Sequence, residues 1–477
     1  MPDQPDQPRP DRPDWPGFAR DAARVADWGA RYHQTLSDRP VRAPLTPGAT
    51  RALLPARPPE TGAPMDAILD DLDRVVMPGM THWQHPRFFA YFPANATPPS
   101  MLADFVAAII APQCMLWQTA PAATEMEEVM IDWLRQALAL PEGWRGVIQD
   151  SASSATLAAV LAMRERALDW AGNAQGLSGQ PRLRIYASRA AHSSVERAAR
   201  VAGLGSDNLV ALPQTGTLRG VDPNALRAAI AADRAAGFLP AGLVACTGAT
   251  GCGASDDLAA VLSIARAEGL FTHVDAAWAG AAMICPEWRS LWAGVEQADS
   301  MVMNPHKWLG AQFDCTAHFL RDPATLTRTL SMTPEYLKTY GAEGHVDFSD
   351  WSVPLGRRFR ALKLWFVLRH YGLEGLRGMI RQHIAWAQAL HDALAADARF
   401  QIVTPPVLSL FTFRLAGQDD AAQLAYVQRL NDDGRVYLTQ TRLDGRIAIR
   451  FQAGSAGLSA DDMALTRQVL QEMAATP

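Results

Sequence analysis

The stretch "GLVACTGATGCGASDDLAAVLSIARAEGLFTHVDAA" (residues 242–277) decides the fold. "GLVACTG" (242–248) is a short, nearly continuous apolar run. "DDLAAVLSIARAEG" (256–269) repeats its apolar residues at helical spacing, and "FTHVDAA" (271–277) is a second short apolar run. Strand, helix, strand in that order implies a parallel pair, because parallel neighbours need a long crossover and become buried on both faces.

The alternation continues outward in both directions. Upstream, "GVIQDS" (146–151), "LRIYAS" (183–188) and "NLVALP" (208–213) read as strands, each followed by a helical stretch. In the helix after the second, Ser193 and Glu196 have capping-box spacing. In the helix after the third, Asp222 and Pro223 suit the N-cap and first helical positions. Downstream, "SMVMNPH" (300–306) adds another strand. The expectation is an α/β fold whose mostly parallel sheet carries helices on both faces.

A chain of 477 residues exceeds one ordinary core, so more than one domain is expected. Residues 1–16, "MPDQPDQPRPDRPDWP", are polar and proline-rich and read as a disordered tail without the apolar run of a signal peptide. Residues 17–95 form an N-terminal helical segment and 96–370 a large domain. Residues 371–477, where "FQIVTPPVLSLFTFRLA" and "RVYLTQTRLDGRIAIRFQ" alternate with helices, form a smaller α+β domain. The longest apolar stretch, "DFVAAIIAPQCMLW" (104–117), is broken by Pro112 and too short to span a bilayer. A net charge of −5 gives no reason to expect nucleic acid or an anionic membrane as partner. Five scattered cysteines lack metal-ligand spacing and suit a reducing, cytoplasmic compartment.

Of 44 lysines and arginines together, only Lys307, Lys338 and Lys363 are lysines. Lys307 stands in "NPHKWLG" (304–310), at the end of a predicted strand, where open α/β sheets gather their ligand chemistry. Ser151, Ser153, His192 and Asp275 lie at other such ends. Singly, each has an ordinary explanation: serines cap helices, an Asp pairs locally, a Lys is solvated, a His is structural. Together they match pyridoxal phosphate chemistry. That cofactor needs a lysine amine for a Schiff base, a carboxylate to keep its pyridine nitrogen protonated, and an anion cradle at a helix start. An imidazole can stack on its ring. Arginine cannot form the Schiff base, which accounts for a lysine at 307. Serine-hydrolase and zinc-protease signatures are absent, and the glycines of "GATGCG" (248–253) lack dinucleotide-binding spacing.

"HVDAAWAG" (273–280) followed by "NPHKW" (304–308) resembles the group II pyridoxal phosphate-dependent decarboxylases, in the branch of aromatic-L-amino-acid decarboxylases and aromatic aldehyde synthases. "HPRFFAYFP" (85–93), "APAATEMEEVMIDWL" (120–134), "GVIQDSASSATL" (146–157), "AHSSVERA" (191–198), "ICPEWR" (284–289) and "PLGRRFRALKLWFVLR" (354–369) continue the likeness in order. The resemblance implies a fold-type I pyridoxal phosphate-dependent transferase fold and α-decarboxylation of aromatic L-amino acids. It also implies a homodimer with the active site at the subunit interface, the N-terminal segment packing on the partner.

It further implies that Lys307 binds the cofactor covalently, that Asp275 pairs with the ring nitrogen and that His192 stacks on the ring. Ser151, Ala152, Ser153, Asn304 and His306 would hold the phosphate, with Thr250 and Ala277 beside the ring. Trp83, Tyr91 and Phe92 resemble the aromatic wall for the substrate, although plain core packing competes for Trp83. Ala94, Gln113 and Met115 differ from what relatives usually carry in this region.

The resemblance breaks at one catalytic position. Decarboxylases protonate their carbanion from a loop tyrosine before "PLGRRFR"; here the matching residue is Phe348. The aldehyde synthases show that same change and release aldehyde, ammonia and peroxide. Tyr336, Tyr340, His192 or a water are the other candidate acids. A catalytically silent, cofactor-binding relative is a third reading.

Overall fold

The computed structural model describes residues 13–332 and 344–475. Its large sheet has seven strands: β1 (Arg145–Gln149), β2 (Leu183–Ser188), β3 (Leu209–Leu212), β6 (Leu239–Cys246), β7 (Phe271–Asp275), β8 (Ser300–Met303) and β9 (Thr316–Leu320). Two short strands, β4 (Gln214–Thr215) and β5 (Gly220–Val221), form a separate hairpin between β3 and β6. The order across the large sheet is β1-β9-β8-β7-β6-β2-β3. Only β9 runs against the others, pairing antiparallel with β1 and β8, so six strands share one direction. Their carboxyl ends therefore open on one edge.

The residues explain the layering. β7, β8 and β9 are buried along nearly their whole length, as a sheet covered on both faces requires. Helices Ala152–Ala167 and Ser193–Val201 cover one face, packing Val160, Met163 and Val195 against Ile185, Val244 and Phe271. Helices Pro121–Ala137 and Leu258–Ala267 belong to the other core, around Trp278, Trp292 and Trp308.

The second sheet is smaller and antiparallel, in the order β10-β11-β13-β12: β10 is Phe400–Val407, β11 Leu410–Leu415, β12 Thr439–Leu443 and β13 Arg446–Gln452. Asp444 and Gly445, both with positive φ (49° and 77°), make the β12–β13 turn that a two-residue hairpin favours. Helix Arg360–Ala395 carries the chain from one sheet to the other and is interrupted at Gly372 (φ 63°, ψ 172°). Among the described residues no helix is long and apolar enough to cross a membrane.

Two expectations need correction. The first helix begins at Trp15, not 17: Asp14 accepts the Gly17 N–H at 2.9 Å and Pro16 fits the first turn, so the helix reaches into the stretch read as tail. The Ser193–Glu196 capping box is not formed. His192 itself is the N-cap, its Nδ1 accepting the Ser194 N–H, while Glu196 pairs with Arg200 one turn on. The Asp222 cap with Pro223 behind it is present as read.

Candidate active site

Five strand ends converge on one cavity of ≈ 230 Å³. β1 leads to Ser151–Ser153, β2 to His192, β6 to Gly248–Thr250, β7 ends on Asp275, and β8 leads to Asn304, His306 and Lys307; all of these line the cavity, with Ala277 and Phe92. Every residue expected to touch the cofactor is brought together. A larger, open depression along the last helix, at Arg399 and Gln468, lies in the small domain and shares no lining residue with this cavity.

Lys307 sits in a turn, its N–H donated to the Asn304 carbonyl at 3.0 Å. Its side chain borders the cavity while protein surrounds the amine. That burial pulls its pKa down to about 8, with Asp275 opposing and the Arg450 guanidinium assisting. The amine stands 4.9 Å from the centre of the Phe92 ring. Beneath it runs a ladder of stacked rings: Phe92 on Trp278 (4.6 Å), Trp278 on Trp308 (5.1 Å), Trp308 parallel to His383 (6.4 Å). Gly248 is required beside this ladder. Its φ is +78°, and a Cβ there would lie 2.5 Å from Ala279 and 3.1 Å from the Trp278 ring.

His192 keeps an exposed edge, but the protein packed around its ring lowers its pKa, Asp275 opposing and Lys307 assisting. Because Nδ1 accepts the Ser194 N–H (3.2 Å), the neutral ring carries its proton on Nε2. Ser151 caps helix Ala152–Ala167, accepting the Ser154 N–H, so hydroxyls and free first-turn amides cluster at a positive helix end. Asn304 is fixed by the Thr316 hydroxyl (3.0 Å), and His306 accepts the Cys315 N–H on Nδ1 (3.0 Å). Burial holds His306 neutral, its pKa near 3. Asp275 Oδ1 accepts the Ala277 N–H at 3.1 Å.

Other expected residues lie elsewhere. Trp83 and Tyr91 are exposed, stacked on each other at 5.6 Å, and only Phe92 of the three lines the cavity. Tyr91 has φ 52°, the turn by which two adjacent rings point apart. Phe348 is 2% exposed and packs with Val147, Ala158, Leu320, Leu326 and Trp351, outside the cavity lining. Tyr336 and Tyr340 lie outside the described residues. Gln113 accepts the Arg357 N–H through its side chain and Met115 the Ser349 N–H through its carbonyl, so both tie down the segment that carries Phe348. The Ala94 carbonyl accepts from Gln84.

Sequence reasoning missed Arg450, on β13. It is 2% exposed, with Nε donating to the Thr250 carbonyl and both terminal nitrogens without a partner. Its guanidinium carbon is 4.7 Å from the centre of the Phe92 ring, and burial lowers its pKa to about 9. The signal was available: one charged residue inside the apolar run "IAIRFQ".

Residues 47–416 match the family described as the pyridoxal-dependent decarboxylase conserved domain. The chain is 39% identical over 473 residues to an aromatic-L-amino-acid decarboxylase of Mus musculus, covering 96% of this chain and 98% of that one. It is 38% identical over 446 residues to a phenylacetaldehyde synthase of Arabidopsis thaliana, covering 90% of each. The solved structure of Oryza sativa TDC with PLP and tryptamine superposes with a TM-score of 0.94 at 36% identity, covering 97% of this chain and 98% of that one.

Proposed function

This chain belongs to the pyridoxal-dependent decarboxylase family, and from that premise we propose that it removes the α-carboxyl group of aromatic L-amino acids, releasing an aryl amine and carbon dioxide, with pyridoxal 5'-phosphate as cofactor. The observation that carries the reading is the convergence of Lys307, Asp275, His192 and the Ser151–Ser153 helix start on one cavity. These residues fit the cofactor by their donor chemistry: an amine for its aldehyde, a carboxylate for its ring nitrogen, hydroxyls and helix-end amides for its phosphate. When bound, it supplies a sink for the electrons left as carbon dioxide departs.

The chain's own residues do the rest. Burial leaves about half of the Lys307 amine uncharged near pH 8 and most of it above that, and a nucleophile needs the uncharged form. Asp275 places its carboxylate opposite, where it stabilises a protonated ring nitrogen. Ser151, Ser153, the Ala152 amide, Asn304 and His306 hold the phosphate; the last two are already locked by Thr316 and Cys315, so little order is lost on binding. Thr250 and Ala277 bound the ring on either side. Arg450 brings the positive potential that draws an amino acid's carboxylate into a buried site. His192 offers a neutral Nε2–H that orients the carboxylate without a full ion pair, which would stabilise the charge that must be lost.

Phe92 is the proposed aromatic wall; Trp83 and Tyr91 stack on each other at an exposed position outside the cavity lining. A homodimer is part of the reading. Leu102, Phe105, Ile109 and Ile110 stand exposed along helix Pro98–Ile110, and Phe18 of the first helix stacks on Phe105 at 6.0 Å, an apolar surface suited to a second copy.

The test is incubation of the purified protein with Phe, Tyr, dihydroxyphenylalanine and Trp in air, measuring amine, carbon dioxide, aldehyde and peroxide together. Amine with equal carbon dioxide and no peroxide supports decarboxylation. No carbon dioxide from a protein that carries its cofactor overturns it in favour of a silent relative. Phe348, which has no hydroxyl where the proton donor is expected, favours a second reading. There the amino acid, dioxygen and water give aldehyde, carbon dioxide, ammonia and hydrogen peroxide, one of each.

A further inference from the structure

Lys307 lies in neither helix nor strand, so nothing periodic fixes the direction of its Cα–Cβ bond. Its four-carbon stem magnifies any error in that direction at the amine. One side chain takes up the Lys307 carbonyl: Asn95, buried to 1% exposure, donates from Nδ2 at 2.9 Å. The same nitrogen donates to the Gly454 carbonyl at 2.7 Å, and Oδ1 accepts the Ala456 N–H at 2.8 Å. Two carbonyls and one N–H leave the carboxamide a single orientation.

The residues around this contact are braced in turn. Gln84 accepts the Ala96 N–H and donates to the Ala94 carbonyl, clamping the backbone on both sides of Asn95. Thr97 bonds the Gly310 carbonyl through its hydroxyl (2.8 Å) and its N–H (3.2 Å). Residues 95–97 thus run beside 307–310 with a bond at each end. The next residue, Trp308, is held separately, its indole N–H donating to His383 Nδ1 at 2.9 Å.

We propose that Asn95 is a positioning residue that ties the Lys307 turn to the 454–456 loop of the small domain and so aims the lysine amine into the cavity. The inference rests on the reading of Lys307 as the cofactor lysine. Removing the carboxamide leaves the Lys307 carbonyl without its side-chain partner and lets the turn shift relative to Asp275 and Phe92. The amine should then lose part of the environment that depresses its basicity.

The chain has three lysines, so carbon-13 reductive methylation of the apoprotein resolves the Lys307 amine by NMR, with Lys307→Arg assigning the signal. Asn95→Ala should move its titration midpoint upward by at least about half a unit toward the ordinary lysine value. In the holoenzyme, kcat should fall at least tenfold while KM changes less than threefold. Gln84→Ala, one step removed and only part-buried, should shift both the same way by less, and it carries the test if Asn95→Ala does not fold. Asn431→Ala, which deletes a buried amide bonded twice to Leu438, should lower Tm without moving either readout. Unchanged midpoint and unchanged kcat in the Asn95 and Gln84 variants, whatever their Tm, would overturn the positioning role. A wild-type protein that fails to bind cofactor at Lys307 would instead sink the decarboxylase reading.

Discussion

The Asn304–Lys307 turn keeps the family pattern and the Asp347–Trp351 turn departs from it at Phe348, and the fold treats the two in opposite ways. The first stands at the carboxyl end of β8 and faces a cavity. The second folds its aromatic ring into a hydrophobic cluster and is pinned by the Trp117 N–H on Asp347, by the Ser349 N–H on the Met115 carbonyl and by Arg357 over the Phe348 ring at 5.1 Å. Sheet topology within one chain is enough to place Lys307. No such constraint delivers Phe348 to the cavity, and within the single chain it stays in the core.

The largest effect should come from the first turn. Lys307→Arg keeps the charge and removes the Schiff-base chemistry, and carbon dioxide release should fall on the order of 10⁴-fold, with loss of the visible absorbance of lysine-bound cofactor. A variant retaining a tenth of the activity would strike Lys307 from its role. Next comes the anchor of the second turn. Arg357→Leu strands buried Glu127, which also receives the Ile148 N–H, and should cost about 3–5 kcal/mol in chemical denaturation. The absorbance at Lys307 should stay unchanged in the folded fraction; a spectral change would mean that the two turns are coupled.

Phe348→Tyr sharpens the contrast directly. Its hydroxyl would enter the cluster of Val147, Ala158, Leu320, Leu326 and Trp351, so about 1–3 kcal/mol of stability should be lost. The amine-to-aldehyde ratio should rise at least about tenfold if the loop carries position 348 to the substrate during turnover. An unchanged ratio would confine the residue to packing.

The smallest effect is in pH. The reactive form of Lys307 is neutral and burial favours that form, so borohydride-trapped attachment of pyridoxal phosphate to the apoprotein should rise about tenfold per unit below pH 8 and level above it. An ordinary lysine would keep rising to about 10.5. The unfolded chain binds the Lys307 proton more tightly than the folded one, so this group's contribution to stability also improves as pH rises from 8 toward that value.

Much of the site was legible because strand ends are. Periodicity located β1, β2, β6, β7 and β8, and functional groups at their ends needed only the rule that such ends share an edge. Arg450 left only a faint mark, one charge inside an apolar run, and Asn95 left none. Each sits far in sequence from Lys307: Asn95 comes from the N-terminal segment, and Arg450 comes in with the small domain. Trp83 and Tyr91 read like Phe92 in sequence, but a positive φ at Tyr91 separates neighbouring rings, and no pattern of residue types announces that.

The sequence by itself determined the α/β class, the parallel core, the cofactor chemistry and the strand-end residues, because local hydrophobic period and functional-group type are properties of short segments. Only the tertiary structure decided which aromatics face the cavity, that Phe348 is buried, that His192 caps its own helix, and that Asn95 and Arg450 join the site. Those depend on contacts between segments tens to hundreds of residues apart or on backbone angles that residue types leave open, and these are settled by packing.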